Sequence, residues 1–548
     1  MLYILLSILI ILPALIGVGS LVSKKLQLWD GLSADFILGL TSLGTIWTFL
    51  AFFTPINNIF EIVTLIIGWI SFIWNKKHTA LYHFIRNNAI PFCALTVIIS
   101  FFGSFYPFIL DHFGYYIPQI KWLTEFGIVK GLTNLELIQG QMSFWHVIQA
   151  GFSHYSDSFL RINTVLLVGY LLYIFEKKSY LHLIFFPILF LFIQSPSPDL
   201  AVIALSMILL NEIMLKNKNY AGLFVISVFI FVVKPTMIWP PLLVILYITI
   251  YYKEYKNFKW IILGLLIGIF YLFKNLWTFG YPIFPLTILD FNLPWKPHPY
   301  LMEFSARTAI EKTYDNQFTY EQIKEFKPWD YIYNWLFLKG IKSYIHIIFI
   351  ASLVGFGIYT LLSKKKLIGV IFLSILIKSI LVLLFSAQYR FFIDVFFVIA
   401  FIIFIDVLRK KTIYLLFLIG SIFVATPLSF PKLLQQTISS FKLGYFMAGF
   451  TPSQIIKPAF YGYKEYDTYQ IGNLEFNIVK DYPFSFETPL PAITPEFIEH
   501  YSKAQIFPQK ISDNVKDGFI WKKTTKEEQE KLDKILKNWK HSYDNRKK

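Results

Sequence analysis

The sequence is poor in cysteine and in charged residues. It has a single cysteine, Cys93, and only 15% of its 548 residues are charged. One cysteine excludes an intramolecular disulfide and argues against a cysteine-based metal site. With 56% hydrophobic and 19% aromatic residues, too few polar side chains remain to cover a soluble protein of this length. The sequence also lacks a phosphate-binding glycine loop, a dinucleotide-binding glycine pattern, an HExxH helix and a G-x-S-x-G turn, which leaves ATP-driven transport and zinc proteolysis without support.

The sequence contains many long apolar runs. A helix needs about 17–25 apolar residues to cross a bilayer, and most of the runs reach that length. We therefore expect an all-α polytopic membrane protein with about fourteen transmembrane helices. The first run lacks a basic segment before it, so we interpret it as a retained helix and not as a signal peptide. The runs lie at roughly 2–22, 36–54, 57–75, 89–110, 158–175, 179–194, 199–215, 219–234, 237–252, 260–278, 344–362, 367–386, 391–408 and 412–430.

The net charge of +16 would indicate a nucleic-acid partner in a soluble protein. Here the basic residues cluster in alternate short loops between the apolar runs, which is the pattern of cytoplasmic loops. We therefore expect no nucleic-acid partner. The N-terminus and the C-terminal segment are then extracytoplasmic, in a protein of the cytoplasmic (inner) membrane. The basic loops contain Lys24 and Lys25; Lys76, Lys77 and Arg86; Lys177 and Lys178; Lys216 and Lys218; Lys253, Lys256 and Lys259; Lys364, Lys365 and Lys366; and Arg409, Lys410 and Lys411.

The distribution of these runs predicts three parts. Residues 1–88 form an N-terminal three-helix membrane segment, and 89–430 form a transmembrane core with large outer loops at 111–157 and 280–343. Residues 431–548 are predicted to form a small extracytoplasmic α+β domain, because aromatic, Gly and Pro residues indicate short strands and turns. An amphipathic helix follows near its end, with a capping box at Thr525 and Glu528.

The segment after Asp111 breaks the transmembrane pattern. Its apolar residues follow Asp111 at helical spacing, so we expect an amphipathic helix that lies along the outer membrane boundary. Asp111 has two interpretations. It caps that helix, as Asp often does, or it is a functional carboxylate beside a groove; residue chemistry alone favours the cap. The apolar residues are Phe113, Tyr116, Ile117, Ile120 and Leu123.

The order of these features resembles a known enzyme group. An apolar span, an acid at its outer end, amphipathic helices and many further spans are similar to the GT-C superfamily of membrane glycosyltransferases, over roughly residues 89–430. Trp122 and the stretch Gly131-Leu132-Thr133-Asn134-Leu135 also resemble a group of uncharacterised bacterial multi-pass proteins. The GT-C resemblance implies that Asp111 is catalytic and that the donor is a polyprenyl-phosphate-linked sugar. It implies no certain cofactor and leaves a divalent cation open, since His112 stands where relatives often carry a second acid.

Further residues are candidates for substrate binding. His112 and Tyr115 lie next to Asp111 in the sequence. Cations at outer helix ends are suited to a lipid phosphate that leaves as an anion, and we assign Lys234, Lys274 and Arg390 to this role. Snorkelling to the interface or pairing with an internal acid is the alternative for each; Asp394 is the acid nearest to Arg390. Trp295 and His298, in the second outer loop, are candidates for a sugar or carrier surface.

Asp199 and Lys378 are open to structural and functional interpretations. Asp199 stands at the start of an apolar run, where we expect it to cap a helix. Lys378 lies deep in another run, and ionisable residues at such depth are often functional.

These observations favour an integral membrane glycosyltransferase that acts at the extracytoplasmic face on a glycan, lipid or protein acceptor. A transporter or flippase for lipid-linked glycans, a glycan polymerase or ligase, and a scaffold for envelope partners are the alternatives. A lateral groove beside Asp111 would favour the enzyme. A central cavity would favour transport.

Overall fold

The computed structural model describes residues 1–26, 28–254, 258–437 and 448–547, and it is mostly helical. Lys256, one of the basic loop residues, and residues 438–447 and Lys548 of the predicted C-terminal domain lie outside the described residues. The helices up to residue 279 are α1 (Leu2–Val22), α2 (Leu32–Leu50), α3 (Asn58–Trp74), α4 (Lys77–Gly103), α5 (Ile117–Glu125), α6 (Phe144–Gly151), α7 (Ile162–Lys177), α8 (Phe186–Leu189), α9 (Pro198–Met214), α10 (Tyr220–Val233), α11 (Trp239–Leu246) and α12 (Ile262–Phe279). Those that follow are α13 (Pro299–Thr313), α14 (Tyr320–Lys324), α15 (Pro328–Leu336), α16 (Ile341–Ser363), α17 (Lys366–Phe385), α18 (Ile393–Phe404), α19 (Lys410–Ser429), α20 (Pro431–Thr437), α21 (Pro495–Ala504) and α22 (Lys526–Lys547).

Among the described residues, seven helices are long and apolar enough to cross a membrane. Other predicted runs coincide with shorter helices, such as the 14 residues of α10 and the 12 residues of α18. Twelve helical residues extend about 18 Å, which is less than the hydrocarbon thickness of about 30 Å. The prediction of a mostly helical chain with several candidate spans is confirmed, and the number fourteen stays a prediction. The seven are Leu2–Val22, Leu32–Leu50, Lys77–Gly103, Lys259–Phe279, Ile341–Ser363, Lys366–Phe385 and Lys410–Ser429.

Helix α1 packs closely against α2 and α3. A Cβ atom on Gly17 would lie 1.8 Å from the carbonyl oxygen of Gly68, and one on Gly19 would lie 1.7 Å from that of Asp35. Small residues allow such backbone contact between apolar helices. The predicted division between residues 88 and 89 falls inside α4, which runs without a break from Lys77 to Gly103.

The loops between helices meet at two separate ends of the bundle. At one end, Lys77 pairs with Asp35 at 2.6 Å, and Lys177 pairs with Glu212 at 3.2 Å. These contacts join segments that we predicted to be cytoplasmic. At the other end, Glu61 accepts hydrogen bonds from the backbone of residues 154–156. The contacts agree with the predicted alternation of loops, and the assignment of each end to a side of the membrane stays a prediction.

The C-terminal part contains helices and two strand pairs, as the sequence predicts. Strands β1 (Tyr466–Ile471) and β2 (Leu474–Val479) pair antiparallel, as do β3 (Ile506–Lys510) and β4 (Phe519–Lys523). Thr525 and Glu528 form the predicted reciprocal cap, with bonds of 2.8 and 3.2 Å. Leu532 and Ile535 of α22 are buried, and Trp539 donates a hydrogen bond to the carbonyl of Val479. The amphipathic helix therefore packs on its own domain.

This domain is joined to the first outer loop through the stretch that begins at Gly131. The amide of Asn134 donates to the carbonyls of Trp295 at 2.7 Å and Phe519 at 3.2 Å. Gly131 has a φ of +57°, and a Cβ atom there would lie 2.2 Å from the carbonyl oxygen of Phe519. Only glycine combines this backbone conformation with so close an approach. The sequence motif is therefore a junction between the two outer loops and the C-terminal domain.

The segment after Asp111 does not expose a polar face as predicted. A π-helical turn at His112–Tyr116 leads into α5, and most residues of the two are buried. Phe113 packs against Phe486, with ring centroids 5.3 Å apart, and Lys121 donates to the carbonyl of Thr488 at 2.9 Å. Gln119, expected on the polar face, is buried and donates to the carbonyl of Ile138. The C-terminal domain covers the face that we expected to meet solvent, which corrects the prediction.

Candidate functional site

A cavity of about 320 Å³ lies where the outer loops meet the loop between α17 and α18. Its walls come from four separate segments. They are the π-helical turn after Asp111, the 3₁₀ turn Leu137–Gln141, the second outer loop with the first residues of α16, and a 3₁₀ turn at Tyr389–Phe391. The polar lining residues are Asp111, Tyr115, Gln141, Lys312, Thr313, Asp315, Asn316, Lys342, His346, Gln388, Tyr389 and Arg390.

Asp111 does not cap the helix that follows it. Its backbone is already helical, with φ −55° and ψ −27°, and its side chain makes no capping hydrogen bond. A capping residue needs an extended backbone to turn its side chain back to the free amides. Instead, the Tyr115 hydroxyl donates to Asp111 Oδ2 at 3.3 Å, and Arg390 Nη1 donates to the same oxygen at 3.4 Å. The structure thus contradicts the capping interpretation of Asp111 and shows its carboxylate at the cavity wall.

The Asp111 carboxylate is held loosely. Both contacts are long and meet one oxygen, and no donor among the described residues reaches Oδ1. The side chains of Asp111 and Arg390 stay 34% and 42% exposed, although much of the space around them is enclosed. Burial raises the pKa of Asp111, and Arg390 opposes that shift. The group therefore binds a proton more readily than an ordinary aspartate does, and it has a free oxygen.

Arg390 contributes the second charged group of this pair. Burial lowers its pKa and the negative charge of Asp111 raises it, with a net increase. Its Nε atom is enclosed and has no hydrogen-bond partner among the described residues, whereas the side chain as a whole stays 42% exposed. The sequence suggested Asp394 as its partner, but Asp394 pairs with Lys378 and accepts a hydrogen bond from Trp239. Arg390 is therefore available to the cavity.

Lys234 lies behind the cavity wall. It forms an ion pair with Asp199, and its ammonium group lies 5.4 Å from the Phe391 ring centroid. The Arg390 guanidinium lies 5.1 Å from the same ring, so both cations contact one aromatic side chain. Asp199 is not the cap of α9: Ser197 accepts the capping hydrogen bond from the Asp199 amide at 3.3 Å. Asp199 thus neutralises Lys234 instead.

Four other sequence candidates do not line the cavity. His112 is buried and packs edge-on against Phe113. Lys274 is buried and donates to the carbonyl of Met142. Trp295 donates to the carbonyl of Leu276 at 2.8 Å, and its ring contacts Lys130. His298 caps α13 and packs its ring against Trp521.

The sequence interpretation missed most of the opposite wall. Lys342 pairs with Asp315 and lies 5.5 Å from the Tyr389 ring centroid. His346 Nδ1 lies 2.8 Å from the carbonyl oxygen of Trp335. Because a carbonyl only accepts, Nδ1 carries the proton and Nε2 is the unprotonated nitrogen of the neutral ring. The sequence does contain a signal for this wall: Lys342 and His346 lie at the predicted outer end of the apolar run at 344–362.

The lining has an excess of positive charge. Three cations, Lys312, Lys342 and Arg390, face two acids, Asp111 and Asp315. Lys312 has no ion pair among the described residues and is exposed. A site with this balance suits an anionic group such as a phosphate.

In the described part of the chain, no three His, Cys, Asp or Glu side chains converge as a metal ion would require.

A family model described as Domain of unknown function (DUF8201) matches residues 1–397, so the chain belongs to that family. All of the cavity-lining residues lie in the matched range, and the C-terminal domain lies beyond it. No curated protein and no solved structure matches the chain.

Proposed function

We propose that this member of the DUF8201 family is an integral membrane glycosyltransferase. It transfers a sugar from a polyprenyl-phosphate carrier to a glycan, lipid or protein acceptor at the extracytoplasmic face. The observation that supports this most directly is the loosely held Asp111 carboxylate in a cavity with excess positive charge. Such a cavity offers both a base for a hydroxyl group and cations for a phosphate.

Asp111 is the general base in this proposal. Its free Oδ1 accepts the proton of the acceptor hydroxyl while the hydroxyl oxygen attacks the anomeric carbon of the donor sugar. The bond between that carbon and the phosphate oxygen breaks, the phosphate leaves as an anion, and the anomeric configuration inverts. Burial raises the pKa of Asp111, which makes its ionised form a stronger base than an exposed aspartate.

Arg390 and Lys312 hold the leaving phosphate. The Arg390 side chain stays 42% exposed beside Asp111, and Lys312 has no ion pair among the described residues. Both groups line the same cavity as Asp111. A charge that develops on the phosphate is best stabilised by cations already in place. Lys234 supports this arrangement from behind, since its ring contact with Phe391 lies next to Arg390.

The membrane arrangement belongs to the same proposal. Fourteen helices cross the cytoplasmic membrane, three of them in the N-terminal segment 1–88 and the others in a GT-C-like core at 89–430, and the short helices cross it together with the residues that flank them. The cavity end of the bundle is extracytoplasmic. The charge bias of the opposite loops supports this orientation.

The alternative functions place the cavity differently. A transporter or flippase needs a path along the bundle axis between two halves. The cavity described above is lined by outer loops and helix ends, and this favours chemistry at the membrane surface. A polymerase or ligase would use the same location and donor class, and it differs in the acceptor.

The test is the Asp111→Asn variant in membranes that carry native acceptors, with a panel of radiolabelled polyprenyl-phosphate sugars. Loss of a general base typically lowers the rate by about 10²–10⁴-fold. Asp290→Asn is the matched control, because Asp290 is a loop acid that pairs with Lys296 away from the cavity. Full transfer by Asp111→Asn at equal protein level, with every active donor, would overturn the assignment.

A further inference from the structure

Helix α15 in the second outer loop presents an apolar face that nothing in the described chain covers. Trp329, Ile332, Tyr333 and Phe337 are each at least half exposed. Their spacing places them on one side of the helix. Trp335, on the other side, is 6% exposed. The helix is well formed, since Pro328 lies in its first turn and Asp330 accepts from the Lys327 amide at 2.9 Å.

This face continues onto a candidate membrane span. Helix α16 begins at Ile341, five residues after α15 ends, and it is among the seven long apolar helices. Ile341, Tyr344 and Ile348 at its start are also exposed. The apolar surface of α15 is therefore adjacent to a helix whose own exposed side chains are suited to lipid. Trp and Tyr are the residues that membrane interfaces favour.

We infer that α15 lies in the membrane–water interface at the cavity end of the bundle. There Trp329, Ile332, Tyr333 and Phe337 contact lipid chains and headgroups. The partner is the lipid surface itself. An amphipathic helix with a large apolar side binds there through the burial of that side. This inference depends on geometry alone and holds for any activity of the cavity.

Trp335 connects this membrane contact to the cavity. Its ring stacks on that of the cavity-lining His346, with centroids 4.1 Å apart and an angle of 9°. Its indole nitrogen donates to the carbonyl of Ala387 at 2.8 Å, three residues before Arg390. Helix α15 therefore fixes two walls of the cavity, and its position in the interface sets the depth at which the cavity opens.

The test uses a nitroxide spin label on a single cysteine in the full chain. Cys93→Ser removes the natural thiol, and Ile332→Cys provides the label site. The protein is reconstituted into vesicles of phosphatidylethanolamine and phosphatidylglycerol. Collision rates with oxygen, which concentrates in lipid, and with a water-soluble nickel chelate report the environment of the label. Glu321→Cys on α14 is the matched control, because Glu321 is exposed and charged in the same loop.

At position 332 we expect frequent collisions with oxygen and few with nickel, and the reverse at position 321. Nickel collisions at 332 as frequent as those at 321 would overturn the inference. Spin–spin broadening at low protein density would also overturn it, because it would show a second copy of the chain on this face. Tyr333→Cys, on the same face, provides a second site if the first variant assembles poorly.

Discussion

Replacement of Lys378 by methionine tests how the buried charges support the cavity. Lys378 of α17 is fully buried and pairs with Asp394 of α18. Trp239 donates to the other carboxylate oxygen of Asp394 at 2.7 Å. These two helices carry the loop of residues 386–392, which contains Arg390. The pair therefore joins the two helices that flank the loop of this cavity wall.

The expected magnitude follows from the burial of both groups. Removal of one partner of a buried ion pair leaves an uncompensated charge and typically lowers stability by about 3–5 kcal/mol. The double variant Lys378→Met, Asp394→Asn keeps an acceptor for Trp239 but carries no charge. We therefore expect it to recover most of the loss. The two residues are in contact, so their effects should not add.

The assay is equilibrium unfolding in mixed micelles, followed by far-UV circular dichroism as sodium dodecyl sulfate is added. Lys324→Met is the control, because Lys324 forms an exposed pair with Glu321 and such pairs contribute about 0–1 kcal/mol. The reasoning fails if Lys378→Met lowers stability no more than the control does. It also fails if the double variant is no more stable than the single one.

Three further predictions concern the outer half of the protein. Burial raises the pKa of Glu136 from 4.5 to about 7. The protonated carboxyl therefore contributes about 3 kcal/mol to the free energy of unfolding at low pH, and this contribution is lost as the pH rises from about 4.5 through about 7. Glu136→Gln should abolish this pH dependence in thermal unfolding. Burial also raises the pKa of Asp111, so Asp111→Asn should unfold at the native temperature or above it at pH 7, where the native charge is unfavourable. Asn134→Ala removes the hydrogen bonds to Trp295 and Phe519, which should lower stability by about 1–3 kcal/mol and speed proteolytic release of the C-terminal domain.

Local sequence patterns predicted the helices but not what covers them. Each apolar run gave a helix near its predicted position, because hydrophobicity along the chain is a local property. The burial of α5 was missed, since Phe486 and Thr488 lie more than 350 residues after it. An amphipathic face alone does not say whether lipid, water or another domain lies against the polar side.

The candidate site was predicted only in part, because sequence patterns identify residues at helix ends but not the contacts between distant segments. Asp111 and Arg390 were both chosen as outer residues, and the structure brings them into contact. The cap at Asp111 was wrong because capping depends on its backbone angles, which residue type does not fix. Lys342 and His346 were missed because they lie at the boundary between a loop and a span. There the sequence does not show which side of the helix faces a cavity.

The hydrogen bond from Asn134 to Phe519 has a consequence for the order of biosynthesis. The two residues are 385 positions apart. At about 5–20 residues per second, the ribosome needs about 20–80 s to reach the second residue after the first. Until then Asn134 can donate only to water or to carbonyls that precede Phe519 in the chain. The part of the chain that carries Asp111 therefore completes its structure among the last, when the C-terminal domain has emerged.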